Sequence, residues 1–103
     1  MTKLTVIIVS YNVKFFLEQC LRSCIKAIQN LDAEIIVVDN NSVDESAQMV
    51  QEKFPNIKLI RNKENVGFSK ANNQAIKQVK GEFILLLNPD TLVEEEAFEN
   101  SLA

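Results

Sequence analysis

The sequence predicts an α/β fold: an open, mainly parallel, Rossmann-like sheet in the order 3-2-1-4 with helices on both faces. Three observations carry that reading. Short, continuous apolar runs rich in β-branched residues alternate with stretches whose apolar residues recur at helical spacing. Each of the four apolar runs is closed by a polar cluster. Parallel strands joined by a crossover helix are connected right-handedly, so strands two and three step to one side of the first and strand four lands on the other. The polar clusters then lie along one sheet edge. The crevice between strands one and four is where open α/β sheets bind ligands.

The elements follow in order. Leu4 to Val9 is a first strand buried on both faces, closed by Ser10-Tyr11-Asn12. Leu17, Cys20, Leu21, Cys24, Ile25, Ile28 and Leu31 then recur as one face of an amphipathic helix. Glu34 to Val38 is a second strand, ending in Asp39-Asn40-Asn41-Ser42. Ser42-Val43-Asp44-Glu45 fits a capping box, with Ser42 as N-cap and Glu45 reaching back. Val43, Ala47, Val50 and Phe54 supply that helix's apolar face, and Pro55 ends it. Ile57 to Ile60 is a short third strand, followed by Arg61-Asn62-Lys63-Glu64-Asn65. A third helix runs from Gly67 to Lys80, burying Ala71, Ala75, Ile76 and Val79, with Gly81 as its stop. Phe83 to Leu87 is the fourth strand and is read as buried. Asn88-Pro89 must end it, because proline has no N–H for the ladder and holds its predecessor extended. Asp90 therefore stands just beyond a strand's carboxyl end. A further, acidic helix is expected from Leu92 to Leu102.

Composition narrows the function. A chain of 103 residues, 47% apolar and 24% charged, is one small globular domain with no linker or repeat. A net charge of −3 argues against a nucleic-acid surface. Leu4 to Val9 is too short for a signal core, which points to the cytoplasm. Cys20 and Cys24, without any histidine, cannot form a structural zinc site and read as small buried hydrophobes. Lack of histidine also excludes Ser-His and Cys-His nucleophilic catalysis within this chain. Two glycines, Gly67 and Gly81, exclude both G-x-G-x-x-G and the Walker A loop.

What remains at the sheet edge is polar and neutral. Asparagine occurs eleven times, and Asn12, Asn40, Asn41, Asn62, Asn65 and Asn88 all fall in the post-strand loops. Amides offer donors and acceptors suited to base edges, ribose and sugar hydroxyls, although any one asparagine equally serves a turn. Asp39 and Asp90, after strands two and four, suit a divalent cation with a phosphate ligand, or ribose recognition by one and metal by the other. Lys63 and Lys70 could offset phosphate charge. Glu94-Glu95-Glu96 reads as dipole-stabilising charge at a helix start. A phospho-accepting receiver domain would need an acidic pair after the first strand, where this chain has Ser10-Tyr11-Asn12.

Four stretches, in order and at matching spacing, resemble the nucleotide-binding half of the family 2 glycosyltransferases of GT-A fold. They are Val6 to Asn12, Ile35 to Ser42, Asn65 to Asn73 and Gly81 to Asp90, which together span essentially the whole chain. The resemblance implies that Ser10, Tyr11 and Asn12 line a nucleotide pocket, that Asp39 contacts base or ribose, and that Asn41 lies nearby. Asn65, Gly67 and Lys70 would approach the nucleotide or sugar. Asn88-Pro89-Asp90 resembles the family's D-x-D motif with one carboxylate, as in a rhamnosyltransferase-like branch, with Asp90 holding Mg²⁺ or Mn²⁺. The implied activity is inverting transfer of a hexosyl or rhamnosyl group from a UDP- or dTDP-sugar. The acceptor would be a glycan or a lipid-linked molecule of cell-surface polysaccharide synthesis. The general base is expected outside this chain, so residues 1–103 would be one donor-binding domain of a longer enzyme, inactive alone; any association with the inner face of the membrane would belong to the full-length protein. The fourth strand would then be an unpaired edge able to pair with a second copy as a homodimer. A non-catalytic nucleotide- or sugar-binding module of the same fold is the alternative.

Overall fold

The computed structural model describes residues 3–79 and 82–90. Along the chain run β1 (Lys3–Ser10), α1 (Lys14–Ile28), β2 (Asp32–Asp39), α2 (Ser46–Lys53), β3 (Lys58–Arg61), α3 (Phe68–Ile76) and β4 (Phe83–Leu87). The strands form one parallel sheet in the order β3-β2-β1-β4, as the sequence predicts. Gly81, Lys80 and the expected acidic helix from Leu92 lie outside the described residues. Among the described residues, no helix is long and apolar enough to cross a membrane.

Strand alternation divides the core into two layers. Leu4, Val6 and Ile8 of β1 and Ile35 and Val37 of β2 face α1 and α2, where they meet Leu17, Cys20, Leu21, Cys24, Ala27, Met49, Val50 and Phe54. Ile7, Ile36 and Val38 point the other way, onto Ala71 and Ala75 of α3. Both faces of β1 and β2 are therefore dry, which is why these strands read as unbroken apolar runs. The two alanines allow α3 to approach the sheet closely. On the opposite layer, Arg22 stacks over the Phe54 ring at 5.6 Å and, with Lys53, pairs with Glu18, tying α1 to α2.

Several sequence expectations are corrected. The capping box does not form: Glu45 has φ +68, in the left-handed region, so it cannot be a helical third residue, and α2 starts at Ser46. Val43, expected on the apolar face, is 83% exposed in the loop before it. Ile25 and Ile76, expected on the buried stripes of their helices, are exposed. Leu31 follows α1 rather than belonging to it, yet still packs on the core. Helix α3 ends at Ile76, with Val79 beyond it packed against the second layer. The fourth strand is not buried. Leu85 and Leu87 pack beneath α1, but Ile84 and Leu86 on the α3 side are exposed; among the described residues α3 packs chiefly on β1 and β2.

Candidate functional site

The carboxyl ends of β1, β2 and β4 and the amino end of α3 bound one polar edge. Ser10 ends β1 directly opposite Asp39 at the end of β2, and Asp39 is in turn opposite Arg61 of β3. Pairing of β1 with β4 stops at Ile8 and Leu87, so Asn88-Pro89-Asp90 leaves the sheet beside Ser10.

Two atoms at this edge are unusual. Ser10 is fully buried and Asp39 is 3% exposed, yet Ser10 Oγ and Asp39 Oδ1 have no hydrogen-bond partner. Native proteins pair nearly all such groups, and an unpaired one costs roughly 1–3 kcal/mol. Asp39 Oδ2 is occupied, accepting the Ser42 N–H at 3.0 Å. One oxygen of Asp39 therefore shapes the loop and the other is buried without a partner.

The surrounding loops are held by their own side chains. Asn12 has φ +53, its N–H donates to Ser42 Oγ at 2.9 Å, and its Oδ1 accepts the Val43 N–H at 2.8 Å. This reciprocal clasp takes Ser42 away from the helix it was expected to cap. The cap is Asp44 instead. Its Oδ2 accepts the Lys14 N–H at 3.0 Å, in the first turn of α1, while Oδ1 accepts from the N–H and the hydroxyl of Ser46 at the start of α2. Burial raises the Asp44 pKa, but the Ser46 hydroxyl and the Lys14 and Ser46 amides outweigh it and hold the carboxyl below its usual value.

Asn40 is buried. Its N–H continues the ladder to Ser10 O at 2.9 Å, its Nδ2 donates to Gly67 O at 3.3 Å, and its Oδ1 accepts from Asn62 Nδ2 at 2.9 Å. Asn62 and Gln74 exchange a second, reciprocal pair of amide bonds at 2.9 and 3.0 Å. Asn65 Oδ1 accepts the Gly67 N–H at 2.9 Å, forming the turn into α3. Gly67 adopts φ +86, and a Cβ placed there would meet nothing within 4 Å, so its backbone borders open space. Buried Asn72 bonds back to Phe68 O at 3.2 Å, within α3.

The remaining candidates line the rim. Tyr11 is 49% exposed, Asn41 (φ +62) and Lys70 are exposed, and Asn88 and Asp90 are exposed beyond β4. Asn88 O accepts from the Cys20 thiol at 3.7 Å, anchoring this turn to α1. At Cys20 a hydrogen bond with Cys24 lowers the thiol pKa against burial and the charge of Asp90. That same bond, with burial, pushes Cys24 far up. The cysteines are free, buried and packed as small apolar groups. Among the described residues, no cluster of three or more His, Cys, Asp or Glu could by itself hold a metal ion.

A parallel sheet with the order 3-2-1-4 and polar loops at its carboxyl edge defines a doubly wound α/β domain. Comparison with known proteins narrows the class. The profile of glycosyl transferase family 2 matches residues 5–103, and the chain belongs to that family. The minor teichoic acid biosynthesis protein GgaB of Bacillus subtilis (strain 168) is 36% identical over 102 residues, 95% of this chain but 11% of GgaB. The poly(ribitol-phosphate) β-N-acetylglucosaminyltransferase TarS of Staphylococcus aureus (strain Mu50) is 32% identical, over 100% of this chain and 19% of TarS. The crystal structure of S. aureus TarS 1–349 in complex with UDP-GlcNAc has the same fold, with TM-score 0.87 and 30% identity over 98% of this chain and 30% of that one. A mannosyltransferase from Pyrobaculum calidifontis, in complex with GDP-Man and Mn²⁺, matches with TM-score 0.87 and 26% identity over 96% of this chain and 31% of its own. The sheet is thus of GT-A type, and the chain spans a small part of the length of these relatives.

Proposed function

We propose that this chain is the donor-binding part of a glycosyltransferase, and that a nucleoside-diphosphate sugar occupies the edge between β1, β2 and β4. The single observation that carries the reading is the pair of buried, unpartnered atoms Ser10 Oγ and Asp39 Oδ1 on adjacent strands. A carboxylate only accepts and a hydroxyl both donates and accepts, so the pair suits the N–H and carbonyl edge of a base or the hydroxyls of a ribose. The ligand would restore hydrogen bonds that folding leaves unmade. Tyr11, Asn12 and Asn41 flank this position, while Asn65, Gly67 and Lys70 at the start of α3 take the diphosphate and sugar. The TarS complex with UDP-GlcNAc and the mannosyltransferase complex with GDP-Man support a donor of this class.

Asp90 is exposed on the turn after β4 and supplies one carboxylate, with Asn88 two residues before it. One carboxylate completed by diphosphate oxygens is a donor set that Mg²⁺ or Mn²⁺ accepts, so the residues fit such an ion, arriving with the donor. A divalent ion bound there would neutralise charge developing on the departing diphosphate. The chain's own contribution is to fix the nucleotide at Ser10 and Asp39 and to present the diphosphate to Lys70 and Asp90. An inverting displacement also requires a base for the acceptor hydroxyl, which we assign to sequence beyond this chain. The teichoic acid enzymes among its relatives favour a cell-surface glycan acceptor.

Calorimetric titration with UDP-, dTDP- and GDP-sugars, with and without Mn²⁺, tests the proposal. One donor should bind, more tightly with Mn²⁺, with the metal effect lost in Asp90→Asn and binding lost in Asp39→Asn. Binding indifferent to both Mn²⁺ and Asp90→Asn would favour the non-catalytic module. Absence of binding by folded protein, or full binding by Asp39→Asn, would refute the donor site.

A further inference from the structure

The amide chain Asn40–Asn62–Gln74 has a direction. Gly67 O can only accept, so Asn40 must turn its Nδ2 toward it, at 3.3 Å, and its Oδ1 away. Asn40 Oδ1 then requires a donor, which fixes Asn62 Nδ2 at 2.9 Å. The second N–H of Asn62 finds Gln74 Oε1 at 2.9 Å, and Gln74 Nε2 returns to Asn62 Oδ1 at 3.0 Å. Every side-chain hydrogen and carbonyl oxygen of Asn62 is used. One main-chain carbonyl therefore sets the orientation of three side chains on three separate elements. Backbone bonds join the same points to the nucleotide edge: Asn62 N–H donates to Asp39 O and Asn40 N–H to Ser10 O, both at 2.9 Å. The network bridges the two halves of the crevice, the Ser10 and Asp39 side and the Gly67 side.

We infer that Gln74 and Asn62 are positioning residues: they touch no ligand, but set where the Gly67 turn, and with it Asn65 and Lys70, stands relative to Asp39. The inference rests on the donor-site reading above and deepens it. Gly67 has no side chain to lock it, and its surroundings are open; its carbonyl accepts the Ala71 N–H of α3 at 3.2 Å, and the bond from Asn40 is what ties that carbonyl, and the helix start with it, to the end of β2. The coupling is directional. Gln74→Glu keeps an acceptor for Asn62 Nδ2 but sets a second oxygen against Asn62 Oδ1, whereas Gln74→Ala removes both bonds.

The test compares uridine with a UDP-sugar, or the corresponding nucleoside and donor if another base is preferred. In Gln74→Ala and Gln74→Glu the affinity for the whole donor should fall about tenfold, the loss expected of one or two neutral hydrogen bonds. Nucleoside affinity should stay within about twofold, because Ser10 and Asp39 are untouched. Hydrogen exchange supplies a readout without ligand: the amides of Gly67 and Ala71, which donate to Asn65 Oδ1 and Gly67 O, should exchange faster in both variants while those of β1 and β2 remain protected. Equal loss of nucleoside and donor affinity, or unchanged exchange at Gly67 and Ala71, would overturn the inference and leave the donor site standing. Wild-type protein that binds neither ligand would overturn the donor-site reading and this inference with it.

Discussion

Replacing Asp44 by alanine should remove the amino-terminal cap of two helices at once. Its carboxylate accepts the Lys14 N–H of α1 and the Ser46 N–H of α2, each at 3.0 Å, together with the Ser46 hydroxyl. Among the described residues, the N-cap positions Val13 and Glu45 make no side-chain cap of their own. An N-cap acceptor is worth about 1 kcal/mol per helix, and bonds to a charged acceptor lie toward the stronger end, so the combined loss is about 2–3 kcal/mol. Partial solvent exposure of Asp44 keeps the figure from being larger. In a domain of this size that lowers Tm by roughly 10–15 °C. Urea denaturation followed by circular dichroism should show a reduced midpoint at unchanged m, with Asp44→Asn, which keeps one acceptor oxygen, falling about halfway. The pH dependence has a definite sign. Asp44 is held below its usual value in the folded state, so its stabilisation is complete above the unfolded-state pKa and is lost as pH falls through the folded one. The gap between wild type and Asp44→Ala should be constant near neutrality and close below the ordinary carboxylate range. A variant within about 0.5 kcal/mol of wild type at pH 7 would refute the double-cap argument.

Two further outcomes follow from packing and backbone geometry. Leu21 is fully buried between α1 and the sheet, so Leu21→Ala should cost about 2–5 kcal/mol in the same denaturation assay, the range for a core leucine truncation. Gly67→Ala meets no steric obstacle but places a side chain at φ +86, so equilibrium unfolding should report about 1–2 kcal/mol of destabilisation from strain alone.

Much of the fold was legible in the sequence because it rests on local pattern and on a handedness rule. Continuous β-branched runs at Leu4 and Glu34 marked strands dry on both faces, and the alternation of Ile7 with Val6 and Ile8 between two core layers is the reason. Helical spacing found the α1 stripe, although not its width: Ile25 keeps the period yet is exposed. Caps were less legible. Ser42-Val43-Asp44-Glu45 holds two competent cap residues, and choosing between them depends on Asn12, thirty residues earlier, whose N–H captures the Ser42 hydroxyl. Glu45 completes the choice by adopting a left-handed conformation. The asparagine bias of the loops was visible, but it could not tell Asn40 and Asn62, joined to each other, from residues facing open space.

The sequence by itself determined the order of the strands and helices, their order in the sheet and the edge at which the polar loops gather, since periodicity and right-handed crossover act along the chain. Only the tertiary structure decided that Ser10 Oγ and Asp39 Oδ1 are buried side by side without partners, that Asp44 serves two helices, and that Gln74 reaches Gly67 through two asparagines. Each of these depends on hydrogen-bond competition between residues far apart in sequence, and that competition exists only once the sheet has brought the loops together.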